Sequence, residues 1–139
     1  MATLNPYLTF NGNAREAMTF YHEVLGGDLA INTFGEYGMA DSPEADKIMH
    51  ARVETPTGMN IMASDTAPGM DVQPIGGFAI SLSGDDEAEL RGYWDKLVEG
   101  GTVVMPLEPQ MWGDTYGQVT DRFGVSWMVD IVSAEAAPE

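Results

Sequence analysis

Cysteine is absent from the 139-residue chain, which excludes disulfides, thiolate metal sites and a cysteine nucleophile together. Histidine is scarce: His22 and His50 are the only two, and they leave little imidazole for metal chemistry. Basic side chains number six against 22 acidic ones, and the formal net charge of −16 repels phosphate backbones and anionic lipid surfaces. Neither nucleic acid nor membrane is therefore expected as a partner. No apolar run approaches the roughly 18 residues of a membrane span. The opening Pro6-Tyr7-Leu8-Thr9-Phe10 has neither the basic nor the apolar region of a secretory leader, so a cytoplasmic protein is expected. The acidity fits solubility or a salty interior, and it also leaves room for attraction of a cationic ligand.

What is present is an internal repeat. Phe10-Asn11-Gly12-Asn13 recurs in type as Leu82-Ser83-Gly84-Asp85, Phe20-Tyr21 as Tyr93-Trp94, and Gly26-Gly27 as Gly100-Gly101, at offsets of 72 to 74 residues. Each half opens on a short strand, near residues 4–10 and 77–83. A helix follows, with Asn13-x-x-Glu16 and Asp86-x-x-Glu89 both reading as capping boxes. Apolar residues fall at helical spacing in both: Ala14, Ala17, Met18, Tyr21 and Leu25 in the first, Leu90, Tyr93, Trp94, Leu97 and Val98 in the second. The Gly-Gly pairs suit left-handed helix ends.

Three strand-like runs come after each helix, at 28–34, 47–55 and 59–64, then at 102–107, 116–120 and 125–131. The expected fold class is therefore α+β: two βαβββ modules with pseudo-twofold symmetry, forming a curved mixed sheet around a cavity. A single domain over 1–139 is expected, with module one at about 3–66 and module two at about 75–133. Residues 36–46 and 66–75, rich in Gly, Pro and Asp, read as loops that roof a cavity or connect strands.

Several motifs carry a resemblance beyond this pattern: Pro6-Tyr7-Leu8-x-Phe10-Asn11-Gly12, Phe20-Tyr21-x-x-x-Leu25-Gly26-Gly27, Met49-His50-Ala51, Met62-Ala63-Ser64-Asp65, Trp112-Gly113-Asp114-x-Tyr116-Gly117 and Asp121-x-Phe123-Gly124-Val125-x-Trp127. Together they resemble the PhnB-like branch of the vicinal-oxygen-chelate superfamily, which includes glyoxalases, bleomycin-resistance proteins and dioxygenases. The resemblance spans nearly the whole chain. It implies helices on the convex side of a curved sheet and a small-molecule cavity on the concave side. Its enzymes hold a divalent metal there as a Lewis acid for vicinal oxygens. The branch has also been described as methyltransferase-like, yet the chain shows no glycine-rich loop for a nucleotide cofactor.

Position by position, the resemblance argues against that metal. Its first-strand ligand falls near Pro6, beside Tyr7 and Leu8, and in module two near Phe78 and Ile80. The last-strand carboxylate falls four residues beyond the turn glycine, on Met62 after Gly58 and on Met128 after Gly124. Thioether sulfur is a poor donor to hard or borderline divalent ions. Asp65, Asp130 and His50 are the nearest substitutes, and no spacing brings them together. No metal and no cofactor are expected.

His50, Arg52 and Glu54 alternate with Met49, Ala51 and Val53, so one face of this strand is polar and the other suits a helix. His50 is the candidate acid/base and Arg52 a candidate ligand anchor; the same residues are also compatible with ordinary cross-strand pairing. His22, on the polar side of the first helix, is expected to face solvent. Trp112, Tyr116 and Trp127 are candidate walls of a ligand pocket or members of a core, and Tyr7 and Asp65 complete the candidate ligand-binding set. Asp121 reads as a turn residue bonding its own backbone. Three functions follow. The chain binds a small molecule in the sheet cavity without the family metal, as a binder or as a metal-independent enzyme; it sequesters a cationic drug or metabolite as bleomycin-resistance proteins do; or it is a metal-dependent lyase or dioxygenase. A homodimer is expected.

Overall fold

A computed structural model describes residues 4–67, 69–71 and 75–133. The chain divides into two units, Met1–Ile75 and Gly76–Glu139. The first runs β1 (Tyr7–Phe10), α1 (Ala14–Leu25), β2 (Asp28–Thr33), β3 (Ile48–Glu54) and β4 (Asn60–Asp65), with a 3-10 turn at Gly35–Tyr37. The second runs β5 (Ile80–Gly84), α2 (Glu87–Leu97), β6 (Thr102–Pro109), β7 (Thr115–Thr120) and β8 (Ser126–Ile131). Each unit is thus βαβββ, and the two sheets have the same order, β1-β4-β3-β2 and β5-β8-β7-β6. In both, the first strand pairs parallel with the last and the other pairs are antiparallel.

One helix covers one face of each sheet, α1 lying on β3, β2 and β4, and α2 on β8 and β5. Period-two burial follows. Leu8 and Phe10 of β1, Ala51 and Val53 of β3, and Ile61 and Ala63 of β4 meet Ala17, Met18, Tyr21 and Val24 of α1 in a buried core. Val119, Trp127, Val129 and Ile131 do the same beneath Leu90, Trp94 and Leu97. The alternation proposed for β3 needs one correction: Ile48, not Met49, is the buried residue. Asn32 faces His50 while Thr33 faces Ile48, so Met49 is the extra residue of a bulge and the face switches there.

The two helix starts differ. Asp86 caps α2 as its sequence suggests, accepting from the Glu89 N–H at 3.1 Å. Asn13 makes no side-chain cap. The helix start is instead fastened by Asp65, 51 residues on from Ala14, whose Oδ1 accepts from the N–H groups of Gly12 at 2.9 Å and Ala14 at 3.0 Å. At the far end of α1, His22 is not simply solvated: its Nε2 lies 2.9 Å from the Gly27 carbonyl oxygen and ties the helix to the turn. The second glycine of each pair lies against backbone. A β-carbon on Gly27 would run into the Glu54 carbonyl, and one on Gly101 would lie 2.5 Å from the Thr120 carbonyl oxygen.

Candidate functional site

Because α1 takes one face of the first sheet, the odd positions of β1 and the alternate positions of β3 and β4 point to the other, the far face. The register lines them up. Tyr7 lies beside Met62, Met62 beside Arg52 and Arg52 beside Ala30; one row along, Thr9 lies beside Ser64 and His50 beside Asn32. Tyr7 and His50 are separated by the whole of β4, yet both side chains are long enough to meet above it. The phenol oxygen is 3.3 Å from His50 Nδ1 and the ring centroids are 5.8 Å apart. When Tyr7 donates to Nδ1, the neutral imidazole carries its proton on Nε2, where it is available to a ligand. Arg52, next along β3 on the same face, places its Nε 3.1 Å from Glu54 Oε2. That contact uses one of the five guanidinium donors. The bulge at Met49 lies before His50, which keeps the alternation of Arg52 and Glu54 and so shares their face.

Of the residues singled out in the sequence, Tyr7, His50 and Arg52 come together here. Asp65 and Trp127 do not lie on a far face. Asp65 is buried, and besides capping α1 its Oδ2 accepts from the Ile48 N–H at 2.8 Å, so both carboxylate oxygens serve the backbone. Trp127 is fully buried and donates its indole N–H to Asp121 Oδ2 at 2.9 Å. Asp121 Oδ1 in turn accepts from the N–H groups of Phe123 and Val125, the turn role read from its sequence. Trp112 and Tyr116 form an edge-to-face pair in module two with centroids 6.1 Å apart, and Trp112 is largely exposed.

The loops about 36–46 and 66–75 meet at a cleft of ≈ 200 Å³ bordered by Asn11, Glu44, Lys47, Thr66 and Met70. Pro68 and residues 72–74 of the second loop lie outside the described residues. None of Tyr7, His50 and Arg52 lines this cleft. Its charges satisfy each other: Glu44 accepts from Lys47 at 2.6 Å, and that hydrogen bond holds the ammonium above its usual range.

The superfamily's metal positions can be tested on the register. In module one the first and last strands put Tyr7 beside Met62; in module two they put Ser81, rather than Phe78 or Ile80, beside Met128. Two thioethers, a phenol and a hydroxyl are not a donor set for a divalent ion. Among the described residues no three His, Asp or Glu side chains converge on a point that could hold one. The residues present do not fit the metal.

Two four-stranded mixed sheets of this order, each with one helix, define the α+β two-module fold of the glyoxalase/bleomycin resistance/dioxygenase proteins. A domain of that description from Frankia sp. EAN1pec superposes with a TM-score of 0.65 at 14% identity over 95% of this chain and 98% of its own. The chain belongs to the family described as 3-demethylubiquinone-9 3-methyltransferase, whose model matches residues 2–130. It is similar to Protein YjdN of Escherichia coli K12, 31% identical over 95% of this chain and 97% of that protein. Among solved structures, PA1353 from Pseudomonas aeruginosa aligns with a TM-score of 0.82 at 46% identity, covering 96% of this chain and 99% of that one. A PhnB protein from Bacillus cereus shares the fold with a TM-score of 0.74 at 24% identity, covering 94% and 100%. The N–H groups of Gly12 and Ala14 in the β1–α1 turn are held by Asp65.

Proposed function

We propose that the far face of module one binds a small oxygen-bearing molecule, a carboxylate or carbonyl compound, without a metal ion. Arg52 anchors the ligand oxygen and His50 exchanges a proton with it, held in register by Tyr7. The observation that carries this reading is the 3.3 Å approach of the Tyr7 phenol to His50 Nδ1 across β4, beside a methionine where the superfamily keeps a carboxylate. His50 and Arg52 are basic donors on this face that need no metal to meet a ligand oxygen. The exposed apolar run Val103, Val104 and Met105 on the edge strand β6 supports a homodimer as the assembled form.

A thermal-shift panel of small carboxylates, carbonyl compounds and neutral polyols tests the reading on wild type, His50→Ala and Arg52→Ala. Stabilisation by the charged or carbonyl compounds that is lost in both variants supports it. Equal stabilisation of all three proteins would sink it.

A further inference from the structure

The repeated topology pairs positions of the two modules one to one, and the pairing exposes an inversion of polarity. Met62 and Met128 occupy matching places on β4 and β8. From them the register runs outward: His50 of β3 corresponds to Tyr116 of β7, Ser64 to Asp130, Thr9 to Ser83 and Asn32 to Glu108. The row Thr9, Ser64, His50, Asn32 in module one therefore becomes Ser83, Asp130, Tyr116, Glu108 in module two. A basic side chain among neutral neighbours is replaced by an aromatic ring between two carboxylates. Directly opposed residues on adjacent antiparallel strands hold their β-carbons about 5 Å apart. Glu108 and Asp130 thus flank Tyr116 from either side on the same face.

Trp112 completes the arrangement. Its ring stands at 61° to Tyr116 with centroids 6.1 Å apart, so the two rings meet edge to face in a corner, and 61% of Trp112 is left exposed. Trp94 and Trp127, by contrast, are buried. Aromatic faces attract cations through their quadrupoles, and flanking carboxylates add direct attraction. The net charge of −16 raises the local concentration of any cation approaching it.

We propose that the corner formed by Trp112 and Tyr116, flanked by Glu108 and Asp130, is a binding site for a small organic cation, a quaternary ammonium group above all. It lies wholly within module two and stands independently of the reading of His50 and Arg52.

The test is a titration of isotope-labelled full-length chain with choline and with its neutral isostere 3,3-dimethylbutan-1-ol, following the indole N–H resonance of Trp112. That resonance is assigned by its loss in Trp112→Phe. Choline is expected to shift it saturably in the millimolar range, and the neutral isostere is not. Trp112→Ala, read on the Tyr116 amide, and Glu108→Gln are each expected to weaken binding by roughly two- to five-fold. Asp130→Asn should act likewise, and Glu108→Gln decides alone if that half-buried position does not tolerate exchange. His50→Ala should leave choline affinity unchanged. Equal shifts from the isostere, no saturable shift from choline, or choline affinity untouched by Glu108→Gln would each overturn the proposal.

Discussion

Asp65 Oδ2 accepts a 2.8 Å hydrogen bond from the Ile48 N–H while its other oxygen caps α1, so one carboxylate fastens the start of β3 to the start of the helix. Every donor is a backbone N–H, and the carboxylate is buried. Asparagine, nearly the same shape, would turn one of those oxygens into a donor facing a donor. Asp65→Asn is therefore expected to cost about 2–4 kcal/mol in urea denaturation. Asn13→Ala, at the position the sequence marks as the cap, is expected to change stability by less than about 0.5 kcal/mol. The reverse order of the two effects would contradict this assignment.

The glycine pairs give a second contrast, this time within one turn. Gly26 and Gly27 both have positive φ, but a β-carbon meets nothing at Gly26 and meets the Glu54 carbonyl at Gly27. Gly26→Ala should cost about 1–3 kcal/mol, the penalty of the backbone conformation alone at φ 77°, ψ −156°. Gly27→Ala should cost at least about 2 kcal/mol more than Gly26→Ala, because β3 must move to admit the methyl. Equal midpoints for the two variants would show that the close approach is unimportant.

Tryptophan substitutions separate core from surface. Trp127→Phe leaves Asp121 Oδ2 without its indole donor and opens space in a fully buried site, so a loss of about 2–3 kcal/mol is expected by denaturant titration. Trp112→Ala, on a largely exposed ring, should stay within about 0.5 kcal/mol. A large destabilisation at Trp112 would mean that its ring serves packing.

The architecture was legible in the sequence because it is written in local signals: two periods of alternation, two helical spacings and matching turn glycines. Strand ends differ from those expected by only a few residues. What local signals do not carry is the partner across the sheet. Asn13 resembles a cap but makes no side-chain cap bond, while the amides on either side of it, Gly12 and Ala14, are held by Asp65, far along the chain. Trp127 resembles a pocket wall until the register puts it on the helix side of β8. The Tyr7–His50 contact is invisible for the same reason, since it spans an intervening strand. Glu108 was missed because β6 shifts register twice before reaching it, which breaks the alternation that would have placed it beside Tyr116.

The central claim is that the far face of module one binds an oxygen-bearing ligand through His50 and Arg52 without a metal. The most direct measurement is calorimetric affinity for the best compound of the carboxylate and carbonyl panel, before and after exhaustive dialysis against a chelator. Unchanged affinity is expected after dialysis, with about a ten-fold loss in Arg52→Ala, the size of one charge-assisted hydrogen bond. Affinity that disappears with the chelator and returns with a stoichiometric divalent ion would contradict it.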